Sequence, residues 1–395
     1  MNAADVVIVG AARTPQGRLM GQLAPLSAVE LGGAAIAGAL GGSGVPAEAV
    51  QAVIMGHVLQ AGAGQNPARQ AAVAAGIPLG AHASTVNKVC LSGLSAIIEA
   101  SRMLRLGEVD VAVAGGQESM SNAPHLLKGS RSGHLYGDAP LIDSAAHDGL
   151  TDAFDKQAMG LATDHANDGL GIARQDQDAV AAASHHRAAT AQATGVFDAE
   201  IVQLKVPRRR GEAELVQTDE GVRPDTTVEA LGKLRTAFSL TGTVTAGNAS
   251  PLNDGAAAVV LTTRAYAQDH DLKVLAVVGS PGQVAGPDTS LPDKPARAIT
   301  KALETAGWAT TDLDFVEINE AFASVALESA KELGLDMDKV NIHGGAIALG
   351  HPIGASGARV VVSAAHELGR RGSGKAAVAL CGGGGQGEAL LLFRD

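Results

Sequence analysis

Two cysteines carry much of the chemistry that this sequence could perform. Cys90 lies where a β-rich run meets the start of a predicted helix. A thiol there faces the positive end of the helix dipole, which favours the nucleophilic thiolate. A buried cysteine acting as a small apolar residue is the alternative, and this segment alone leaves both open. The other cysteine lies far away in the chain, so we expect neither a disulfide framework nor a metal site.

The second cysteine, Cys381, follows a predicted strand and opens a run of four glycines, 382–385. Without Cβ atoms these residues let the backbone approach a ligand and aim N–H groups at developing negative charge. A flexible glycine turn is the alternative. No Lys-Ser/Thr pair follows where a phosphate-binding loop needs it, which excludes that motif.

A histidine and an asparagine could complete a reacting centre. His351 precedes Pro352, a residue suited to the first turn of a helix, so we expect the imidazole at a helix entrance among glycines. There it could take a thiol proton or donate to an oxyanion. Asn319 ends a predicted strand before a predicted helix at 324–333. It is either a helix N-cap or an amide that fixes a water at the reacting centre.

The elements that must position these residues alternate between short β-branched runs and Ala-rich helical stretches, which predicts an α/β fold. The second part of the chain repeats the first in outline. A strand predicted at 315–318 corresponds to one at 52–55, and a glycine-led helix at 354–368 corresponds to 93–106. In that register His351 occupies the position of Cys90, near a pseudo-twofold axis.

Composition changes along the chain suggest three parts. Residues 1–120 together with 250–270 form one predicted half, and residues 271–395 form the other. The segment 121–249 is richer in Asp, Gln, His and Arg, and we interpret it as an inserted domain.

Whole-chain properties exclude several classes of function. The net charge of −11 is a poor basis for binding nucleic acid. No apolar run approaches the roughly 20 residues that cross a bilayer, and the N-terminal residues lack a basic presequence. We therefore expect a cytoplasmic protein with no membrane partner.

Taken together, the segments around these residues resemble the thiolase family, the acetyl-CoA C-acyltransferases. The resemblance spans nearly the whole chain. Its motifs, beside the Cys90 segment, are Ala12-Arg13-Thr14-Pro15, Asn319-Glu320-Ala321-Phe322, Gly350-His351-Pro352 and Cys381-Gly382-Gly383-Gly384. It implies a duplicated αβαβα five-layer core with a loop domain inserted in the first half.

The resemblance also implies a role for each reactive residue. Cys90 would be the acylated nucleophile and Cys381 the acid/base. His351 would activate Cys90 and, with a water held by Asn319, form one oxyanion hole. The backbone N–H groups of Cys90 and Gly383 would form the other hole.

Substrates and partners follow from the same resemblance. CoA thioesters would be the substrates, with no tightly bound cofactor, and the inserted domain would contribute to CoA binding and to oligomer contacts. Arg223 matches a residue near the nucleotide, and Ser250 matches one that touches the pantetheine. Residues 208–210, all arginine, are expected to form a solvated turn. A homotetramer or homodimer is expected.

The implied reaction is reversible Claisen condensation of two acetyl-CoA to acetoacetyl-CoA and CoA. A degradative 3-ketoacyl-CoA thiolase for longer chains and a non-catalytic acyl-CoA carrier are the alternatives. Ala158 stands where biosynthetic members have a histidine near CoA, and the stretch 288–295 departs from the short-chain pattern. These departures leave chain length open, while all the reactive residues are present.

Overall fold

A ten-stranded mixed sheet organises the computed structural model, which describes residues 3–208 and 210–395. The strands are β1 (Val6–Arg13), β2 (Gly17–Arg18), β3 (Ala52–Gly56), β4 (His82–Val86), β5 (Val111–Ser119), β6 (His125–Leu126), β7 (Ile142–Asp143), β8 (Leu204–Val206), β9 (Glu214–Val216), β10 (Asn253–Thr263), β11 (Ala276–Ala285), β12 (Phe315–Ile318), β13 (Gly374–Gly382) and β14 (Gln386–Arg394). The helices are α1 (Ala28–Ser43), α2 (Pro67–Ala74), α3 (Ser92–Arg105), α4 (Met159–Leu170), α5 (Arg174–Ala193), α6 (Val228–Gly232), α7 (Arg264–Asp269), α8 (Lys294–Ala306), α9 (Ala323–Leu333), α10 (Ala346–Leu349) and α11 (Ser356–Arg371).

The sheet is built twice over about its centre, where β1 and β11 pair antiparallel. On one side β10 and β5 continue antiparallel, and β3 and β4 then run parallel to β5. On the other side β14 and β13 continue antiparallel and β12 is parallel to β13. A parallel bridge between Val316 and Val340 lies beyond β12, where β4 lies beyond β3. This succession confirms the duplicated α/β fold expected from the sequence.

Five layers result from the way the helices pack. Helix α3 packs against β3 and β5 of the first half and also against β14, while α11 packs against β13 and also against β10 and β1. These two helices therefore lie between the halves, in a core of buried aliphatic residues such as Leu94, Ile97 and Val360. Helices α1 and α2 cover the outer face of the first half, and α8 and α9 that of the second.

The crossing of α3 and α11 corrects the predicted register of the repeat. The helices begin at Ser92 and Ser356, and they approach each other at the glycines that follow. A Cβ on Gly357 would lie 2.3 Å from the backbone nitrogen of Leu94, and one on Gly93 would meet α11 in the same way. The equivalent position to Cys90 is therefore Gly354, three residues after His351. The turn through Pro352 lies before the helix rather than within its first turn, which accounts for the error.

Residues 121–249 contribute α4, α5 and α6 and the short pairs β6–β7 and β8–β9. They are joined to the first strand by buried Arg13, whose guanidinium binds Asp219 at 2.7 and 2.9 Å and Glu200 at 2.7 Å. The three-part division of the chain remains a prediction. Among the described residues, none of the helices has the length and apolarity needed to span a bilayer.

The predicted solvated turn of arginines connects β8 to β9. Arg208 and Arg210 are exposed, and Arg208 pairs with Glu214 at 2.6 Å, while Arg209 lies outside the described residues. An exposed ion pair of this kind contributes little to stability.

Candidate active site

The turn between β4 and α3 presents Cys90. Val89, directly before it, has φ of +51°, a left-handed conformation that costs a β-branched residue roughly 1–3 kcal/mol. Two hydrogen bonds of Ser92 close the turn: its Oγ accepts from the Lys88 N–H at 2.8 Å and donates to the Val89 carbonyl at 2.6 Å. The strained turn leaves Cys90 only 3% exposed.

The glycine run after Cys381 lies against this turn. A Cβ on Gly382 would be 2.6 Å from Leu91, so only glycine lets the end of β13 come so close. Gly383 is next to Val89, and the backbone N–H groups of Gly383 and of Cys90 itself both donate toward the Cys90 sulfur. The run thus serves close approach of the second half to the nucleophile turn.

Both thiols are neutral in the folded protein. Burial raises the pKa of Cys90 to about 12, and the Glu118 charge adds to this, although the two N–H groups act in the opposite direction. Burial also raises the pKa of Cys381, and the proximity of Cys90 raises it further. The expectation that the helix N-terminus favours a thiolate was therefore wrong, because desolvation outweighs the dipole. Reaction at Cys90 needs a base.

His351 can supply that base. Its Nδ1 lies 2.6 Å from the Ser356 Oγ, and this hydroxyl donates its one proton to the Pro352 carbonyl at 2.9 Å. Nδ1 therefore carries the ring proton, and the unprotonated Nε2 lies 3.4 Å from the Asn319 amide nitrogen. Burial lowers the pKa of His351 to about 3, with a smaller contribution from the Arg359 charge, so the imidazole is neutral.

Gly350 sets the direction of the His351 turn. Its φ is +117°, and a Cβ there would lie 2.6 Å from the Asn253 side chain. Asn253, on β10 of the first half, accepts a hydrogen bond from the His351 N–H at 2.9 Å. A strand of the first half thus fixes the backbone of His351, which belongs to the second half.

Asn319 belongs to the same centre. Its Nδ2 lies 3.4 Å from each ring nitrogen of His351, and its buried Oδ1 has no hydrogen-bond partner within the described ranges. The helix that follows begins at Ala323, with Phe322 at the N-cap position and no side-chain cap. The N-cap interpretation of Asn319 is therefore wrong, and its amide faces the imidazole.

A largely apolar cavity of about 310 Å³ opens onto this centre. Cys90 and His351 lie on its wall together with Ser250, whose Oγ donates to the Ala321 carbonyl at 3.0 Å. The remaining lining residues are Ala146, Leu150, Thr151, Ala158, Met159, Gly160, Phe238, Ala249, Pro251, Leu252, Ala321, Phe322 and Ile353. Gly383 lies on the wall of a second cavity of about 210 Å³, which shares Thr151 and Met159 with the first.

Arg223 is not brought to this cavity wall. It is exposed on the loop before α6, and its backbone N–H donates to His185 at 3.2 Å. Within 3–208 and 210–395, we find no group of three or more His, Cys, Asp or Glu side chains placed to hold a metal ion.

Sequence reasoning missed the residues that hold the reactive turns. Ser356 lies within the glycine-rich segment around His351, but nothing in the pattern indicates a hydroxyl hydrogen-bonded to the imidazole. Asn253 and Glu118 lie on strands distant in sequence, and only the fold brings them to His351 and Gly354.

Comparison with known proteins shows the family to which the chain belongs. Residues 6–265 match the family model "Thiolase, N-terminal domain", and residues 272–394 match "Thiolase, C-terminal domain". The chain belongs to the thiolase family. It is 55% identical over 388 residues to a probable acetyl-CoA acetyltransferase of Mycolicibacterium smegmatis, covering 98% of this chain and 100% of that relative. It is 50% identical to an acetyl-CoA acetyltransferase of Pseudomonas aeruginosa, covering 99% and 100%.

A solved structure has the same fold. The crystal structure of the Bacillus anthracis acetyl-CoA acetyltransferase superposes with a TM-score of 0.96 at 40% identity and covers 98% of each chain. The thiolase-like α/β fold with its mixed sheet is thus shared over nearly the whole length.

Proposed function

We propose that this thiolase-family chain is an acetyl-CoA C-acetyltransferase acting through an acyl group on Cys90. Full-length relatives at about half identity carry that activity in their names. The observation that carries the proposal is the meeting, at one apolar cavity, of a buried thiol, a neutral imidazole with an unprotonated Nε2, and two N–H groups aimed at the sulfur. A non-catalytic carrier would not need this set.

In the thiolysis direction, the first step forms the acyl-enzyme. The Cys90 thiol gives its proton to His351 Nε2, and the sulfur attacks the 3-keto carbon of acetoacetyl-CoA. The bond between C2 and C3 then breaks, leaving acetyl on Cys90 and the enolate of acetyl-CoA. Cys381 gives its proton to the enolate carbon, which releases the first acetyl-CoA.

The second step transfers the acetyl group to CoA. The Cys381 thiolate takes the thiol proton of CoA, and the CoA sulfur attacks the acetyl carbonyl. The C–S bond to Cys90 breaks, and the proton held by His351 returns to the Cys90 sulfur. The net change is acetoacetyl-CoA plus CoA to two acetyl-CoA, and condensation is the reverse.

Two sets of donors stabilise the oxyanions. After acylation, the N–H groups of Cys90 and Gly383 would donate to the carbonyl oxygen of the acyl group instead of the free sulfur. The imidazole of His351 and a water held by the amide of Asn319 would donate to the thioester oxygen of the enolate. One well-placed donor of this kind contributes roughly 2.7–4 kcal/mol to transition-state stabilisation.

CoA binding would use the segment that runs from Arg223 to the cavity mouth. Arg223, Lys233 and Arg235 are all exposed there, and Phe238 of the same segment lines the cavity beside Ser250. Local positive charge is needed because the chain is acidic overall and CoA is an anion. Arg223→Ala should raise the KM for CoA and change kcat less; an unchanged KM would remove Arg223 from the CoA site.

The central experiment measures thiolysis of acetoacetyl-CoA and acetylation of the enzyme by mass spectrometry. Cys90→Ser should abolish the acetyl adduct and lower kcat by roughly 10³-fold or more. Cys381→Ala should still acetylate but should lose exchange of the acetyl-CoA α-protons. An adduct on another residue, or normal exchange without Cys381, would refute the assigned roles. 3-Ketoacyl-CoA substrates of increasing length test the degradative alternative, which predicts kcat/KM rising with length.

Assembly and location remain predictions. Light scattering of the purified chain tests the expected homotetramer or homodimer, and fractionation of the source cells tests the expected cytoplasmic location.

A further inference from the structure

A fully buried carboxylate on the first half holds the His351 turn of the second half. Glu118, at the end of β5, accepts the Gly354 N–H at 2.9 Å through Oε2. The same carboxylate accepts the N–H groups of Val58 and Leu59 at 3.1 Å each. Glu118 therefore sits at the junction of the two segments that enclose the nucleophile, since Val58 and Leu59 pack with Cys90.

A second fully buried carboxylate lies on the second half and holds the reactive turn of the first half. Glu388, on β14 of the second half, binds the first-half turn that carries Cys90. Its Oε1 receives the Lys88 ammonium at 3.0 Å, and its Oε2 receives the Ser95 hydroxyl at 2.6 Å. These partners lie on either side of Cys90, and Gln283 completes the site by donating to Oε1.

The strand of Glu388 also reaches the second thiol. In the pairing of β13 with β14, Leu380 lies opposite Glu388 and Cys381 lies opposite Gly387. One carboxylate thus joins the strained nucleophile turn to the strand pair that carries the acid/base. Neither Glu118 nor Glu388 lines the cavity that is proposed to hold the substrate.

Burying an ionised carboxylate is unfavourable unless its hydrogen bonds are satisfied, and burying an apolar residue in the same space would cost less free energy. Apart from Gln283 of β11, the partners of both carboxylates lie on the reactive turns or on the segment that packs with Cys90; that segment also brings His57 Nε2 to 3.3 Å from Glu118. By contrast, buried Glu200 binds Arg13 and Ser363, which lie on elements that carry none of the proposed reacting groups. Glu118 and Glu388 therefore act locally on the reactive turns, whereas Glu200 cross-links the fold away from the reacting groups.

We propose that Glu118 and Glu388 are reciprocal positioning residues: each half supplies a buried carboxylate that fixes the reactive turn of the other half, and together they set the separation of Cys90 from His351. The inference rests on the proposed function. A displacement of about 1 Å between reacting groups can lower a rate roughly 100-fold, so such a pair would act on kcat without contacting CoA.

The first experiment compares Glu118→Gln and Glu388→Gln with Glu200→Gln as the matched buried control. In Glu118→Gln an amide NH₂ replaces an acceptor oxygen and meets backbone N–H donors. In Glu388→Gln the charge that binds the Lys88 ammonium is lost, and the NH₂ faces the Ser95 hydroxyl, which must accept instead of donate. We expect kcat for thiolysis to fall roughly 10- to 100-fold, with KM for acetoacetyl-CoA changed less than about threefold. Glu200→Gln should lower the melting temperature but keep kcat within about twofold of the wild type.

A double-mutant cycle distinguishes positioning from a structural role. If Glu118 acts through His351, then Glu118→Gln should slow acetylation of Cys90 by less than about twofold when it is added to His351→Ala. Single-turnover mass spectrometry at high enzyme concentration supplies these rates. In the same way, Glu388→Gln should add little to Lys88→Met.

Several outcomes would overturn the proposal. In the first, the rate losses of the two substitutions in a cycle multiply. In the second, KM rises as much as kcat falls. In the third, Glu200→Gln lowers kcat as much as Glu118→Gln and Glu388→Gln do. Should the glutamine variants not fold, Glu118→Asp and Lys88→Met replace them, and unchanged kcat in both would reject the inference. A wild-type enzyme without thiolysis would instead reject the proposed function, which keeps the two failures separate.

Discussion

The turn that carries Cys90 and the turn that carries His351 reach the same centre with different backbones. In each, the reactive residue directly follows a residue with positive φ: Val89 at +51° and Gly350 at +117°. The first is a β-branched residue in a conformation it seldom adopts, and the second is a glycine in a region nearly closed to other residues.

The surroundings explain the difference. At Gly350 there is no room for a side chain, because Asn253 lies 2.6 Å from where a Cβ would be. At Val89 the side chain has space and packs against Gly383 and the cluster around Cys90. The His351 turn therefore depends on absence of a side chain, whereas the Cys90 turn is held in a strained shape by its hydrogen bonds.

Among changes at residues that shape these two turns without reacting themselves, Gly350→Ala should have the largest effect. The added methyl group must displace Asn253, which holds the His351 N–H, and the backbone strain alone is about 1–3 kcal/mol. We expect kcat to fall roughly 100-fold and the melting temperature to drop, as measured by thiolysis and thermal unfolding. Gly372→Ala is the control, because Gly372 has φ of +80° and no atoms near its missing Cβ. An equal loss of kcat in both would assign the effect to the backbone alone.

A smaller effect is expected for Ser356→Ala. Its first-half counterpart, Ser92, binds only backbone groups of its turn, whereas Ser356 also contacts the reactive imidazole. Without the hydroxyl, Nδ1 loses its fixed acceptor and the imidazole can adopt the other tautomer. We expect kcat to fall roughly tenfold with little change in KM. Ser101→Ala, which removes another buried helix hydroxyl that donates to a carbonyl, should leave kcat unchanged. A wild-type kcat in Ser356→Ala would mean that Ser356 does not set the tautomer.

Much of this centre was predictable because its signals are local. Glycine runs beside Cys381 and His351 have no use in a helix or strand interior, so they pointed to close approach. The strand Phe315–Ile318 was predicted with the bounds that the structure shows, because a short run with three apolar residues is bounded by Asp314 and Asn319. The family resemblance then supplied the roles.

What could not be predicted depends on contacts between distant parts of the chain. The positive φ of Val89 has no signal in a valine. Glu118 and Glu388 read as ordinary strand carboxylates until the fold places the other half against them. The thiol pKa of Cys90 was misjudged because the helix dipole can be read from sequence, whereas complete burial cannot.

The two reactive residues should also differ in their effect on stability with pH. Burial lowers the pKa of His351 to about 3, so below the ordinary value of about 6.5 the unfolded chain binds a proton that the native chain does not. The free energy of unfolding should therefore fall as pH decreases from about 6.5 toward 3. For Cys90, whose pKa burial raises to about 12, stability should fall as pH rises above about 9.

Urea unfolding across pH tests this contrast. His351→Asn should lose less stability than the wild type between pH 6.5 and 3, and Cys90→Ala should lose less above pH 9. His134→Asn, a change at an exposed histidine, should follow the wild type. Identical acid slopes for His351→Asn and wild type would show that the native imidazole takes up its proton as readily as the unfolded one.

The smallest effect is expected for Val89→Gly, which removes the strain from the Cys90 turn. Relief of about 1–3 kcal/mol is opposed by the flexibility of glycine in the unfolded chain and by lost packing against Gly383, so stability should change by less than about 1 kcal/mol. Because Ser92 and Glu388 still hold the turn, kcat should fall no more than about threefold. Asp271→Gly, at an exposed positive-φ site, reports strain relief alone. A loss of kcat as large as that of Gly350→Ala would mean that the valine side chain, and not its hydrogen-bonded neighbours, fixes the nucleophile.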